Sequence, residues 1–112
     1  MLIYHITEQK AWQHAQANGV YTAPSLSSEG FIHASTLEQV VGTANFLFRG
    51  QSDLVLLVID ASKLTHELRF EEAPGTNQKF PHIYGPLNFN AVQKVVAFPH
   101  TPQGDFTLPS DL

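Results

Sequence analysis

The sequence predicts a single α+β domain built on a split or mixed, mostly antiparallel β-sheet with two main helices. Length is the first reason: 112 residues form one core and leave no room for a second. Composition is another, because 43% hydrophobic and only 14% charged residues allow burial to offset chain entropy along the whole chain. Pattern is the third. Helical spacing falls in the first half and strand patterns dominate the second, without the regular alternation of a doubly wound sheet.

Residues 2–6 are short and apolar and end at Thr7, the signature of a first strand running into a helix. Over residues 8–17, Ala11, Trp12 and Ala15 lie at helical spacing, and Asn18-Gly19 provides the left-handed stop. Residues 20–23 read as a second short strand closed by Pro24, and the polar, unperiodic residues 25–30 as a loop. A strand over 31–34 leads to Ser35, which lies three residues before Glu38 and predicts a capping box. Leu37, Val40, Val41, Ala44, Leu47 and Phe48 then mark one face of a helix that Gly50 ends.

The continuous apolar run 54–59 predicts a central strand covered on both faces. Leu68 and Phe70 alternate with Arg69 and Glu71 as in a half-buried strand, residues 72–79 form a loop, and residues 92–98 form the last strand. The domain therefore spans 1–112, with its core at about 1–98 and an irregular tail over 99–112 carrying three prolines.

Charge and composition exclude several functions. A formal charge of -4 and a pI near 5.8 leave no positive surplus for a phosphate backbone, so duplex nucleic acid is not an expected partner. No apolar run approaches a bilayer span, and the expectation is a cytoplasmic protein without a membrane partner. The absence of cysteine excludes disulfides, thiolate zinc sites and thiol nucleophiles. Neither G-x-G-x-x-G nor a P-loop occurs.

Three of the six histidines stand at element edges: His5, His33 and His82. A purely structural histidine, satisfied by a backbone group, is the competing reading at each. Around His82, two prolines and one glycine within seven residues stiffen the backbone beside Tyr84, as a site of fixed geometry requires. The small hydroxyls of the loop at Ser25 can admit a polar ligand closely. His14, His66 and His100 read as solvated bystanders.

Ile3-Tyr4-His5, Glu29-Gly30-Phe31-Ile32-His33-Ala34-Ser35 and Phe80-Pro81-His82-Ile83-Tyr84-Gly85-Pro86-Leu87 together resemble the DUF952 family, small bacterial and plant domains, over nearly the whole chain. That family is similar to the ADP-ribosyltransferase superfamily, which implies an ADP-ribosyltransferase-like fold and NAD as substrate. His5 with Thr7 resembles the His-Gly-Ser/Thr motif whose histidine holds a ribose, with Ile6 replacing the glycine. Gly30-Phe31-Ile32-His33-Ala34, followed by Ala44-Asn45, resembles Gly-x-Tyr-Phe-Ala and its helix, placing Ile32 where a tyrosine would stack on nicotinamide. His82 falls at the position of the family's catalytic glutamate, and Glu71 is the nearby residue able to supply that carboxylate.

The resemblance therefore implies an NAD-utilising enzyme that transfers ADP-ribose or hydrolyses NAD or an ADP-ribosyl bond. His33, His82 and Glu71 are the expected catalytic residues. His5, Thr7, Ser25, Ser35 and Tyr84 are expected to bind a small-molecule nucleotide, and the acceptor is left open. A non-catalytic nucleotide-binding module is the alternative. A hydrolytic metal centre on the three histidines is a further one, although no H-x-H or H-x-x-x-H pair occurs and no metal is expected.

Overall fold

The computed structural model describes all 112 residues. In chain order the elements are β1 (Leu2–Glu8), α1 (Gln9–Asn18), α2 (Pro24–Glu29), β2 (Ile32–His33), α3 (Leu37–Leu47), β3 (Leu54–Asp60), β4 (Glu67–Glu72), β5 (Lys79–Tyr84) and β6 (Val92–Ala97). Short 3-10 turns at Ala61–Lys63 and Phe89–Ala91 precede β4 and β6. The strands form two three-stranded sheets, ordered β1-β3-β6 and β2-β5-β4, and every strand pairing is antiparallel.

β3 is the organising strand. Its Val55, Leu57 and Ile59 enter one apolar cluster while Leu54, Leu56 and Val58 enter the other, because alternate side chains of a strand leave opposite faces. One face is covered by Trp12 and Ala15 of α1 together with Ile32, Ile83 and Leu87 from the second sheet region. The other is covered by Val40 and Ala44 of α3 and by Phe98 and Phe106. The two sheets are tied at one point, where the backbones of Tyr4 and Ser35 exchange two hydrogen bonds of 2.8 Å.

The central strand over 54–59 and the first helix form where the sequence places them. Several expectations are corrected. Three α-helices form rather than two, because residues 24–29, read as a loop, make α2: Pro24 opens it at the first turn and Gly30 (φ +88°) closes it in the left-handed region. The strand expected over 20–23 reduces to a bridge between Tyr21 and Leu87. The capping box sits one residue later than Ser35 and Glu38, since both backbone groups of Ser35 are used by Tyr4; Gln39 accepts from the Thr36 N–H at 3.0 Å instead.

The stiff segment around His82 is strand β5, at the centre of its sheet. Pro81 is tolerated there because its carbonyl, and so the side on which its N–H would lie, faces the end of two-residue β2, where it accepts from Ala34. The tail is irregular, as read, yet it is anchored: Phe106 is buried, and Asn45 of α3 brackets its backbone, accepting from the N–H at 2.6 Å and donating to the carbonyl at 3.3 Å. No helix is long and apolar enough to cross a membrane.

Candidate functional site

A cleft of about 1090 Å³ opens between the two sheets, lined from β1, α2, β2, α3, β4 and β5. His5, His33 and His82 all reach it, as do Glu71 and Tyr84 and the hydroxyl residues Thr7, Ser25 and Ser35.

His82 and Glu71 face each other across the β4–β5 ladder, and His82 Nδ1 lies 2.7 Å from Glu71 Oε1. A carboxylate can only accept, so Nδ1 carries a proton and donates it, while Nε2 has no protein partner. The side chain of His82 is only 10% exposed, against 36% for Glu71. Tyr84 donates its hydroxyl to the same Oε1, and both donors converge there while Oε2 has no protein partner. The two hydrogen bonds, first from Tyr84 and then from His82, hold the Glu71 carboxyl below the usual carboxylate range.

Phe31 forms the wall beside this pair. Ile32 is wholly buried in the core, so strand alternation turns Phe31 and His33 to the opposite face. The Phe31 ring stacks on His82 at 3.9 Å between centroids, with Tyr84 tilted at 5.4 Å and His33 edge-on at 4.9 Å. Phe31, not Ile32, therefore faces the cleft. The period-two pattern of residues 31–33 carried that signal.

His33 is exposed, and its Nε2 pairs with Glu29 of α2 at 2.9 Å. His5 is buried and engaged on both sides. Its Nδ1 lies 2.5 Å from the His33 carbonyl, which can only accept, and Nε2 lies 2.7 Å from the Tyr21 hydroxyl. Burial lowers the His5 pKa to about 4, so the ring is neutral and protonated at Nδ1. Tyr21 then spends its one proton on Nε2, and its oxygen, 2.9 Å from the Thr7 hydroxyl, accepts from it. Tyr21 escaped the sequence reading because only the tertiary fold brings α1's exit to β1.

Ser25 donates to the Phe31 carbonyl at 2.7 Å and fixes the turn that carries the ring. Ser35 donates to Thr43 of α3 at 3.3 Å. His66 is more than a bystander: it bonds the Pro86 carbonyl at 3.0 Å and packs directly on Gly85. The three-histidine metal centre is not formed. Both nitrogens of His5 are occupied, and no group of three or more His, Asp or Glu side chains is arranged to hold an ion.

Comparison with known proteins follows the geometry. A family model described as "Protein of unknown function (DUF952)" matches residues 6–95. The crystal structure of protein CC0527 from Caulobacter crescentus is 36% identical with a TM-score of 0.88, covering 96% of this chain and 95% of that one. The solution NMR structure of CC0527 is also similar, at 36% identity and a TM-score of 0.84, over 99% of this chain and 96% of that one. A search of the curated proteins finds no match.

Proposed function

The chain belongs to the DUF952 family, and from its cleft we propose an NAD-utilising enzyme related to ADP-ribosyltransferases, which transfers ADP-ribose to an acceptor or to water. The observation that carries this reading is the Glu71–His82 pair set against the Phe31 ring. Such a pair combines a negative charge, suited to a positively charged sugar carbon, with a free imidazole nitrogen that can accept a proton when the ring is neutral.

Phe31 offers a flat ring for nicotinamide, the cationic end of NAD, and Glu71 lies beside it. As the bond between ribose C1 and the nicotinamide nitrogen breaks, the electron pair leaves with the now neutral nicotinamide. An acceptor hydroxyl or water bonds to C1 and gives its proton to His82 Nε2. Glu71 holds the other ring nitrogen through this step and keeps the tautomer that the base requires. His33, paired with Glu29, flanks the reacting centre. His5 and Thr7 act through Tyr21 and the His33 carbonyl to keep β2 in place, and Ser25 and Ser35 secure its flanks.

Incubation with NAD, with free nicotinamide and ADP-ribose measured by mass spectrometry, tests the proposal. Release of nicotinamide that disappears in His82→Ala supports it. Saturable binding without release makes the cleft a non-catalytic nucleotide-binding module, and neither binding nor release overturns both.

A further inference from the structure

Nicotinamide release from NAD uses one proton acceptor and no proton donor. The leaving group departs as a neutral molecule, and the proton of the incoming oxygen goes to His82. The cleft nevertheless holds a second imidazole–carboxylate pair, His33 with Glu29, which has no proton to move in that step. The two side chains are 54% and 49% exposed, where an ion pair adds little to stability.

This second pair stands beside the first. The His33 ring meets Phe31 edge-on at 4.9 Å and lies 5.4 Å from the His82 ring between centroids, crossed at 86°. Phe31, stacked on His82, touches both rings and holds them side by side. Their free atoms are complementary. The Glu29 carboxylate only accepts, so His33 Nε2 carries a proton, and a second proton on that ring goes to Nδ1, which has no protein partner. In His82 the order is reversed, with Nδ1 held by Glu71 and Nε2 free. Positive charge on an imidazole costs least where water reaches it, so the exposed His33 is the ring better placed to carry the extra proton, leaving the enclosed His82 to accept one when neutral.

A donor and an acceptor side by side suit a bond whose leaving atom is too basic to depart without a proton. A sugar carbon joined to an alcohol oxygen is such a bond, whereas the bond to nicotinamide is not. We propose that the cleft also hydrolyses O-glycosides of ADP-ribose, with His33 as general acid and His82 as general base. The bond from ribose C1 to the leaving oxygen breaks, its electron pair stays on that oxygen, and the oxygen takes the proton of His33 Nδ1. A water oxygen bonds to C1 and gives one proton to His82 Nε2. The products are free ADP-ribose and the alcohol, and proton exchange with solvent restores both rings. The inference rests on the reading of this cleft as the place where the ribose of an ADP-ribosyl group is bound.

The test measures ADP-ribose released by the full chain from the methyl and para-nitrophenyl O-glycosides of ADP-ribose, each as both anomers. Methoxide is far more basic than para-nitrophenolate, so the methyl glycoside depends much more on an acid. His33→Ala is expected to slow the methyl glycoside at least about tenfold more than the para-nitrophenyl glycoside, whereas His82→Ala slows both by similar factors. Should His33→Ala fail to fold, Glu29→Gln, at an exposed position, is expected to shift the same ratio about threefold in the same direction. Cleavage of the para-nitrophenyl glycoside alone, or equal slowing of both by His33→Ala, overturns the inference. Nicotinamide release from NAD with neither glycoside cleaved overturns it and leaves the NAD chemistry intact. Methyl glycoside cleavage that His33→Ala selectively slows, without nicotinamide release from NAD, upholds it and overturns the NAD reading.

Discussion

The ring of Phe31 lies against that of His82, 3.9 Å between centroids and 15° from parallel, so the residue that leads into the short strand β2 and the central strand β5 meet in a single aromatic stack at the cleft wall. Phe31→Ala removes that stack and the face it offers to a ligand, leaving the buried Ile32 in place. Loss of an aromatic pair, worth about 0.5–1.5 kcal/mol beyond area, corresponds to roughly 2- to 13-fold weaker NAD binding. Phe31→Tyr is expected to stay within about twofold of the parent. Titration calorimetry of the two variants checks this, and equal loss in both would place Phe31 outside the ligand contact.

Glu71→Gln preserves shape but removes the charge and lets His82 turn its ring proton. Nicotinamide release is expected to fall by roughly 10²–10⁴, the range spanned by general acid–base catalysis, with the far-ultraviolet dichroism unchanged. The carboxyl is held down by Tyr84 and His82, so its contribution to stability is present above the ordinary carboxylate pKa and is lost as pH falls through the depressed folded value. Carbon-detected titration of the Glu71 carboxyl in the parent and in Tyr84→Phe measures this. The midpoint is expected to rise in Tyr84→Phe.

His5 makes folding pH-dependent. Its pKa is about 4 when folded against 6.5 in the unfolded chain, so between these values the unfolded state binds the extra proton. Stability is therefore full above about pH 6.5 and declines as pH falls towards 4, by on the order of 2 kcal/mol at pH 5. Urea unfolding at pH 7.5 and pH 5 of the parent and of His5→Gln isolates the effect. The variant is expected to be less stable at pH 7.5 and to show a shallower decline; an identical decline would mean that other groups cause it.

Asn45→Ala severs both hydrogen bonds to the backbone of Phe106 and should cost about 1–3 kcal/mol, since it leaves a buried segment unsatisfied. Amide exchange at Phe106 is expected to accelerate while exchange in β3 falls only with global stability. Phe106→Ala opens a cavity over β3 and is expected to cost about 3–5 kcal/mol. Thermal unfolding and hydrogen exchange together separate loss of the anchor from loss of the fold.

Local pattern was enough where a residue's neighbours in sequence decide its fate. The apolar run of β3 and the first helix with its Gly19 stop follow from spacing and turn chemistry, and His33 ends β2 as read, whereas His5 and His82, read at element edges, lie inside β1 and β5. Residues 24–29 show the limit of composition: the serines read as loop, although Pro24 and Gly30 already punctuated a helix. The capping-box register was beyond sequence, because Ser35 is drawn into a backbone pair with Tyr4, some thirty residues away in the chain, and Thr36 inherits the cap.

The sequence by itself determined the class and the core strand, and it singled out the histidines and the carboxylate that line one cleft. Only the tertiary structure decided their partners: Glu71 and His82, eleven residues apart, become one hydrogen-bonded pair because β4 and β5 align in register. His5 is withdrawn into a buried contact with Tyr21 and the His33 carbonyl, while Phe31 rather than Ile32 faces the cleft. The physical reason is that a residue's type and spacing fix what it can donate, accept or bury, whereas its partners and its dielectric surroundings are set by strand register and long-range packing, which no local pattern encodes.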